Sequence, residues 1–353
     1  MESSNPHTTE TITLTAKCHC TLFQTSYTLP LSSLPLKSAI CHCNTCRKIS
    51  GHVFSSFAVI PSPNRPDVSA LTAYASSDAL TRYFCPRCGA SIGNFEPGEW
   101  EFATGVLDRT GGGLLNRVQM WLEDTKDGGA GLWLNDQRFD RHIRSRASEK
   151  FAFADVKAMA EKSRNEIRAM SLDSTAMQHE DILKASCHCG AVSFQIERPD
   201  SDSNETDSNK YPAGLDACTS CRTVTGFEIT SWAFVPRERI RNSKTHQSLD
   251  LLDMPALSYY KTSPGVTRGF CSTCGANVFY YRHRGNTGKE NTIDIAAGLL
   301  ESQTGVRAEG WLAWDHYTKD MVANREDAID KEFVEGLLKG IEEDVVGDDK
   351  KGN

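Results

Sequence analysis

The stretch "AICHCNTCRKISG", Ala39 to Gly51, sets three cysteines in six residues with the spacing C-x-C-x-x-C. Three thiols are one too many for a disulfide and one too few for a closed zinc site. The later stretch "LDACTSCRTVTGF", Leu215 to Phe227, repeats the pattern with Asp216 where the first cysteine would stand. Working outward, all thirteen cysteines fall in short clusters. The first half holds Cys18/Cys20, Cys41/Cys43/Cys46 and Cys85/Cys88; the second holds Cys187/Cys189, Cys218/Cys221 and Cys271/Cys274, in the same order.

The flanks repeat as well. "RYFCPRCGASIGNF" (Arg82 to Phe95) parallels "RGFCSTCGANVFYY" (Arg268 to Tyr281), "ATGVLD" (Ala103 to Asp108) parallels "AAGLLE" (Ala296 to Glu301), and "CRKISG" parallels "CRTVTG". This is a duplication of a unit of roughly 140 residues, too long for a solenoid repeat, so two similar domains are expected. Short alternating runs such as "AVSFQIE" (Ala191 to Glu197), broken by Gly, Pro, Ser and Asn, predict a mainly β fold. The stretch from Ser148 to Met170 lacks Pro and Gly and reads as a linker helix. Residues 326–345 predict a short amphipathic helix, and "DSDSNETDSNK" (Asp200 to Lys210) a mobile polar loop. The expected organisation is therefore 10–145, a zinc domain; 146–180, a helical linker; 181–325, a second, degenerate zinc domain; and 326–353, a helix and acidic tail.

The net charge of −7 divides into +1 over residues 1–150, −1 over 151–180, −1 over 181–325 and −6 over 326–353. Neither body segment has the basic excess of a nucleic-acid binder. The tail reads as a solvated, fraying end. No apolar run approaches the roughly 20 residues of a membrane span, and the N-terminus lacks the pattern of a secretory signal. The expectation is a cytoplasmic protein with no membrane partner, in which clustered cysteines bind metal rather than each other.

Cys85-Pro-Arg-Cys88-Gly89 has the form of a zinc knuckle, half of a tetrahedral site, and Cys18-His19-Cys20 can supply the other half. Cys187, Cys189, Cys271 and Cys274 repeat it. A thioredoxin-like redox reading of C-x-x-C needs a βαβ setting that is not visible, and iron is the minor alternative to zinc. Cys41, Cys43 and Cys46 give three thiolates and leave an exchangeable fourth position, the arrangement of catalytic zinc; the alternative is a closed site using His42 or His19. In an extended segment His42 would point away from both neighbouring ligands. Zinc with three thiolates is formally −1 and a weak Lewis acid, better suited to holding a substrate sulfur or oxygen than to ionising water. Arg47 and Arg222 follow the clusters and would bind either a substrate carboxylate or nearby backbone carbonyls. Trp121 and Trp311 read as core, and His42, His52 and Asp108 are the bases on offer, none convincing.

The ordered set C-x-C, C-H-C-x-x-C-R-x-x-x-G, F-C-x-x-C-G-A resembles the glutathione-dependent formaldehyde-activating enzyme family, which includes centromere protein V, in two tandem copies. The resemblance implies two β-tent domains. It implies structural zinc on Cys18, Cys20, Cys85 and Cys88, catalytic zinc on Cys41, Cys43 and Cys46, and carbon–sulfur lyase chemistry on the adduct of glutathione with formaldehyde. This sequence departs from the pattern at Thr21-Leu22, where Gly-Ala is usual, and at Asp216. Asp216, Cys218 and Cys221 either form a harder metal site or none. The expected function is thus a zinc-dependent carbon–sulfur lyase-like enzyme acting on a glutathione or thiol adduct or a related small carbonyl compound. Its catalytic residues would be Cys41, Cys43, Cys46 and Arg47, with two structural zinc sites and one or two exchangeable ones. The alternatives are a lyase or dehydratase that does not use glutathione, and a non-enzymatic zinc-binding interaction protein.

Overall fold

The computed structural model describes residues 10–61, 65–96, 98–172, 181–199, 209–283, 291–314 and 324–349. Most of the expected polar loop, residues 200–208, lies outside them. Each half is built on one large, mostly antiparallel sheet. In the first half the strand order is Asp140–Arg141, Leu115–Met120, Leu36–Cys41, Ser55–Val59, Glu99–Ala103, Ser91–Glu96, Thr81–Phe84 and Thr72–Ala75. The second half repeats the last seven positions with Leu312–Ala313, Tyr211–Asp216, Thr230–Pro236, Thr292–Ala296, Asn277–Arg282, Val266–Cys271 and Leu257–Ser263. In both, the strand that leads into the middle cluster has a parallel neighbour on one side and an antiparallel one on the other. A small sheet, Thr11–Lys17 with Gln24–Pro30 in the first half and Ile182–Ser186, Ser193–Glu197 and Ile240–Asn242 in the second, carries the first cysteine pair of each half.

The middle cluster starts a helix. Cys43 caps α1 (Asn44–Ser50), its Sγ accepting from Cys46 N at 3.3 Å, and Gly51 ends it in the left-handed conformation, φ +79°. C-x-x-C-R-x-x-x-G is therefore a one-helix motif with a thiol at its start and glycine at its stop. A Cβ on Gly51 would lie 2.2 Å from Asn277 O, so the glycine also lets the second half approach.

The two halves grip each other by the same contacts run both ways. Arg47 Nη1 donates to Gly298 O (2.6 Å) and Leu300 O (2.9 Å), and Arg222 Nη1 donates to Gly105 O (2.6 Å) and Leu107 O (2.9 Å). His19 Nδ1 meets Tyr260 OH at 2.9 Å, and His188 Nδ1 meets Tyr74 OH at 2.7 Å. Gly105 N donates to Gly226 O, and Gly298 N to Gly51 O. One hydrophobic cluster runs through both halves, from Ile40, Phe54 and Trp133 to Phe194, Ile295 and Trp311.

The helices outside the repeats join this core. α2 (Phe153–Leu172) buries Val156 and Ala160, and the C-terminal helix Lys331–Asp349 buries Phe333, Val334, Leu337, Leu338 and Ile341 along one stripe. The solvated-tail expectation is corrected in part. Asp344 accepts from Arg164 at 2.9 Å and from Trp133 Nε1 at 3.3 Å, and Asn135 Nδ2 donates to Glu343 at 2.6 Å. Among the described residues no helix is long and apolar enough to cross a membrane.

Arg222 is buried, and both carbonyls it serves would lose a charged donor in Arg222→Ala. This substitution is expected to lower the unfolding free energy by about 3 kcal/mol, measured by denaturant titration. A change below about 0.5 kcal/mol would show that the clamp does not hold the halves together.

Candidate metal centres

Four groups of side chains bring their ligand atoms within 4.8 Å of one another: Cys18, Cys20, Cys85, Cys88; Cys187, Cys189, Cys271, Cys274; Cys41, Cys43, Cys46; and Asp216, Cys218, Cys221. Every cysteine read from the sequence as a ligand, and Asp216, falls in one of them. In the outer quartets the sulfurs stand 3.6 and 3.5 Å apart (Cys18–Cys20, Cys20–Cys85) and 3.5 and 3.6 Å apart (Cys187–Cys189, Cys189–Cys271). Four sulfurs at about 2.3 Å from one zinc would stand about 3.8 Å apart, so these quartets have the size of a tetrahedral thiolate site. The backbone amides of Phe23 and Val192 donate to Cys18 and Cys187 at 3.4 Å. Hydrogen bonds from Cys85 and then Cys88 hold Cys18 down to about 2, and the bond to Cys18 pushes Cys85 up to about 12.

The histidines beside the cysteines are not ligands. His19 and His188 reach across to the opposite half, as described above. His42 is fully buried behind the strand, 6.0 Å from the ring of Phe54, and burial pushes it down to about 4. His52 is held by Ser231 N at 3.1 Å and pushed by burial to about 3. Asp108 accepts from Thr15 N at 3.2 Å. None of the three offered bases stands at the middle cluster, and the closed site through His42 or His19 is not formed.

Arg47 requires a second correction. Its guanidinium is committed to Gly298 O, Leu300 O and Asn44 Oδ1, so it joins the halves and does not face a substrate; Arg222 is its counterpart. The guanidinium that does face the sulfurs is that of Arg82, whose Nη2 lies 3.2 Å from Cys46 Sγ; Arg268 Nη2 lies 3.2 Å from Cys221 Sγ. Both arginines were visible in the sequence at the head of the repeated "RYFC" and "RGFC".

Register completes the site. Cys41 pairs with Ser55, so Cys41 and Phe57 lie on one sheet face, and Phe57 pairs with Ala103. Two residues along that face run Val59, Glu101, Asn94, Arg82 and Tyr74. Glu101 Oε2 accepts from Asn94 Nδ2 at 2.6 Å. Burial first, and then the Cys46 thiolate, raise the Glu101 carboxyl to about 7. Cys46 itself is held down by hydrogen bonds from Cys41 and Cys43, and further by Arg82. Phe57, Phe227 of the second half and Trp121 enclose the cluster. Trp121, expected as core, is a wall of this site, whereas Trp311 is core.

In the second half the same row reads Phe234, Asp294, Tyr280, Arg268 and Tyr260, with Trp232 in the place of Phe57. Tyr280 replaces Asn94, and its ring lies 4.6 Å from the Arg268 guanidinium. The frame is kept, and the side chains facing the cluster are larger and less polar.

These features define a tandem β protein with four cysteine-based groups compatible with metal coordination. The sequence profile described as "glutathione-dependent formaldehyde-activating enzyme" matches residues 13–124 and 182–318, and the chain belongs to that family. Membership points to enzymatic chemistry of the glutathione and formaldehyde type. No curated protein and no solved structure gives a significant match.

Cys88→Ser is expected to lose one equivalent of bound metal and to destabilise the chain by on the order of 5 kcal/mol or more, read by metal analysis and thermal unfolding of one sample. Unchanged metal content and stability would remove the structural role of this quartet.

Proposed function

We propose that the first half is the chemical centre, a zinc-dependent lyase-type site for thiol adducts of small carbonyl compounds, with the glutathione adduct of formaldehyde as the reference substrate. The observation that supports this reading is the row Arg82, Asn94 and Glu101 on the sheet face of Cys41, in which Arg82 Nη2 lies 3.2 Å from Cys46 Sγ and Asn94 donates to Glu101 at 2.6 Å. Zinc held by Cys41, Cys43 and Cys46 would supply a position for a substrate sulfur or oxygen. Arg82 offsets the negative charge of the sulfurs. Glu101 takes the hydroxyl proton of a thiohemiacetal as the carbon–oxygen double bond forms, the carbon–sulfur bond breaks and the sulfur leaves as thiolate; in the reverse direction the thiolate adds to the carbonyl carbon and Glu101 returns that proton to the new hydroxyl. Phe57, Trp121 and Phe227 limit water at the cluster.

A carboxyl that ionises near 7 is protonated below that pH and cannot accept. The exchange rate between glutathione and formaldehyde, followed by NMR, is therefore expected to rise with pH through about 7. Glu101→Gln should lower it on the order of 10²-fold and remove that rise. Equal rates in the two proteins would eliminate Glu101 as the proton acceptor. Turnover of a carbonyl adduct only when glutathione is absent would favour the dehydratase reading over the thiol-adduct one.

A further inference from the structure

Asp216 stands where the first half has Cys41, and its carboxylate is already engaged. Oδ1 accepts from Cys218 N at 3.0 Å and from Asn324 Nδ2 at 3.0 Å, while Oδ2 lies 2.9 Å from Cys221 Sγ. A sulfur at about 2.3 Å and an oxygen at about 2.0 Å from one tetrahedral zinc would stand about 3.5 Å apart. At 2.9 Å the contact is that of a thiol donating a hydrogen bond to a carboxylate. The cysteines differ from each other. Cys218 is partly buried at the start of the helix Thr219–Thr225, whereas Cys221 is buried, and Cys221 N donates to Cys218 Sγ at 3.3 Å. Arg268 Nη2 lies 3.2 Å from Cys221 Sγ.

We propose that Cys218 and Cys221 are a thiol–disulfide exchange pair, acting on a small aliphatic disulfide, with Asp216 as the proton acceptor for Cys221. The Cys218 thiolate attacks one sulfur of the disulfide, whose S–S bond breaks and releases a first thiolate, protonated by water. Cys221 then passes its proton to Asp216 and attacks Cys218 Sγ; the mixed disulfide breaks, and the second leaving thiolate takes the proton from Asp216. Two protein thiols are oxidised and one external disulfide is reduced to two thiols. Arg268 stabilises the transient Cys221 thiolate. In the first half the third thiol, Cys41, completes a set of soft donors that withholds the corresponding pair from exchange. One residue thus separates a metal-binding cluster from a redox one. The inference does not depend on the reaction proposed for the first half.

Cys218 and Cys221 share one tryptic peptide, Tyr211–Arg222, separate from the peptide Ser38–Arg47 that holds Cys41, Cys43 and Cys46. The full chain would be equilibrated in buffers of graded glutathione to glutathione disulfide ratio, acid-quenched, alkylated and mapped by mass spectrometry. The peptide is expected to pass reversibly from a doubly alkylated form to an unalkylated form two hydrogens lighter. Cys221→Ser should retain one glutathione on Cys218, and in Asp216→Asn the mixed disulfide should resolve roughly ten-fold or more slowly. A peptide that stays doubly alkylated at oxidising ratios would overturn the proposal, as would folded Cys221→Ser protein with no adduct on Cys218. Unchanged resolution in Asp216→Asn would overturn the role of the carboxylate.

Discussion

Two buried guanidinium groups hold this molecule in its shape. Arg47 and Arg222 each leave one half and end on two carbonyls of the other, within the turns of the "AAGLLE" and "ATGVLD" segments. Burying a charge is costly without hydrogen-bond partners, so each half must present its turn correctly for the other's arginine. The same helices carry the middle cysteines, and the positions of the two clusters are therefore set by the docking of the halves. The consequence is cross-construction. Phe227 walls the cluster of the first half, and the ring of His52 lies 5.3 Å from Trp232 beside the second. The histidines between the outer cysteine pairs bind tyrosines of the opposite half. Neither cluster has its full surroundings without the other half.

Within that shared frame the two middle clusters have separated chemically. The first has three thiols and a polar row with a carboxyl raised by burial. The second has two thiols and a carboxylate, and a tyrosine stacked on its arginine. Duplication leaves a chain free to keep one site for the original donor set while the other changes its third donor, because the outer quartets and the clamp maintain both sheets.

Much of this was legible in the sequence. The quartets followed from spacing alone, since C-x-C and C-x-x-C fix thiols locally and the repeat order supplies the partners. The direction of His42 followed from strand alternation. Other features were hidden because they depend on which elements meet. Arg47 follows a ligand in sequence, but its helix carries the side chain to the opposite half. Glu101 reaches the site only through register with Asn94 and Arg82, although a carboxylate two residues before the shared Ala is present in both "EFATG" and "DIAAG". The acidity of the C-terminal segment read as solvation, yet Asp344 is bound by Arg164 and Trp133. Composition carries no information about which charges find partners.

On this view the two middle clusters, alike in backbone, differ in what they hold. The most direct measurement is the zinc content of the reduced, untagged chain. Three equivalents are predicted, two for the outer quartets and one for Cys41, Cys43 and Cys46. Four equivalents would contradict the account, because Asp216, Cys218 and Cys221 would then be a metal site like their counterpart.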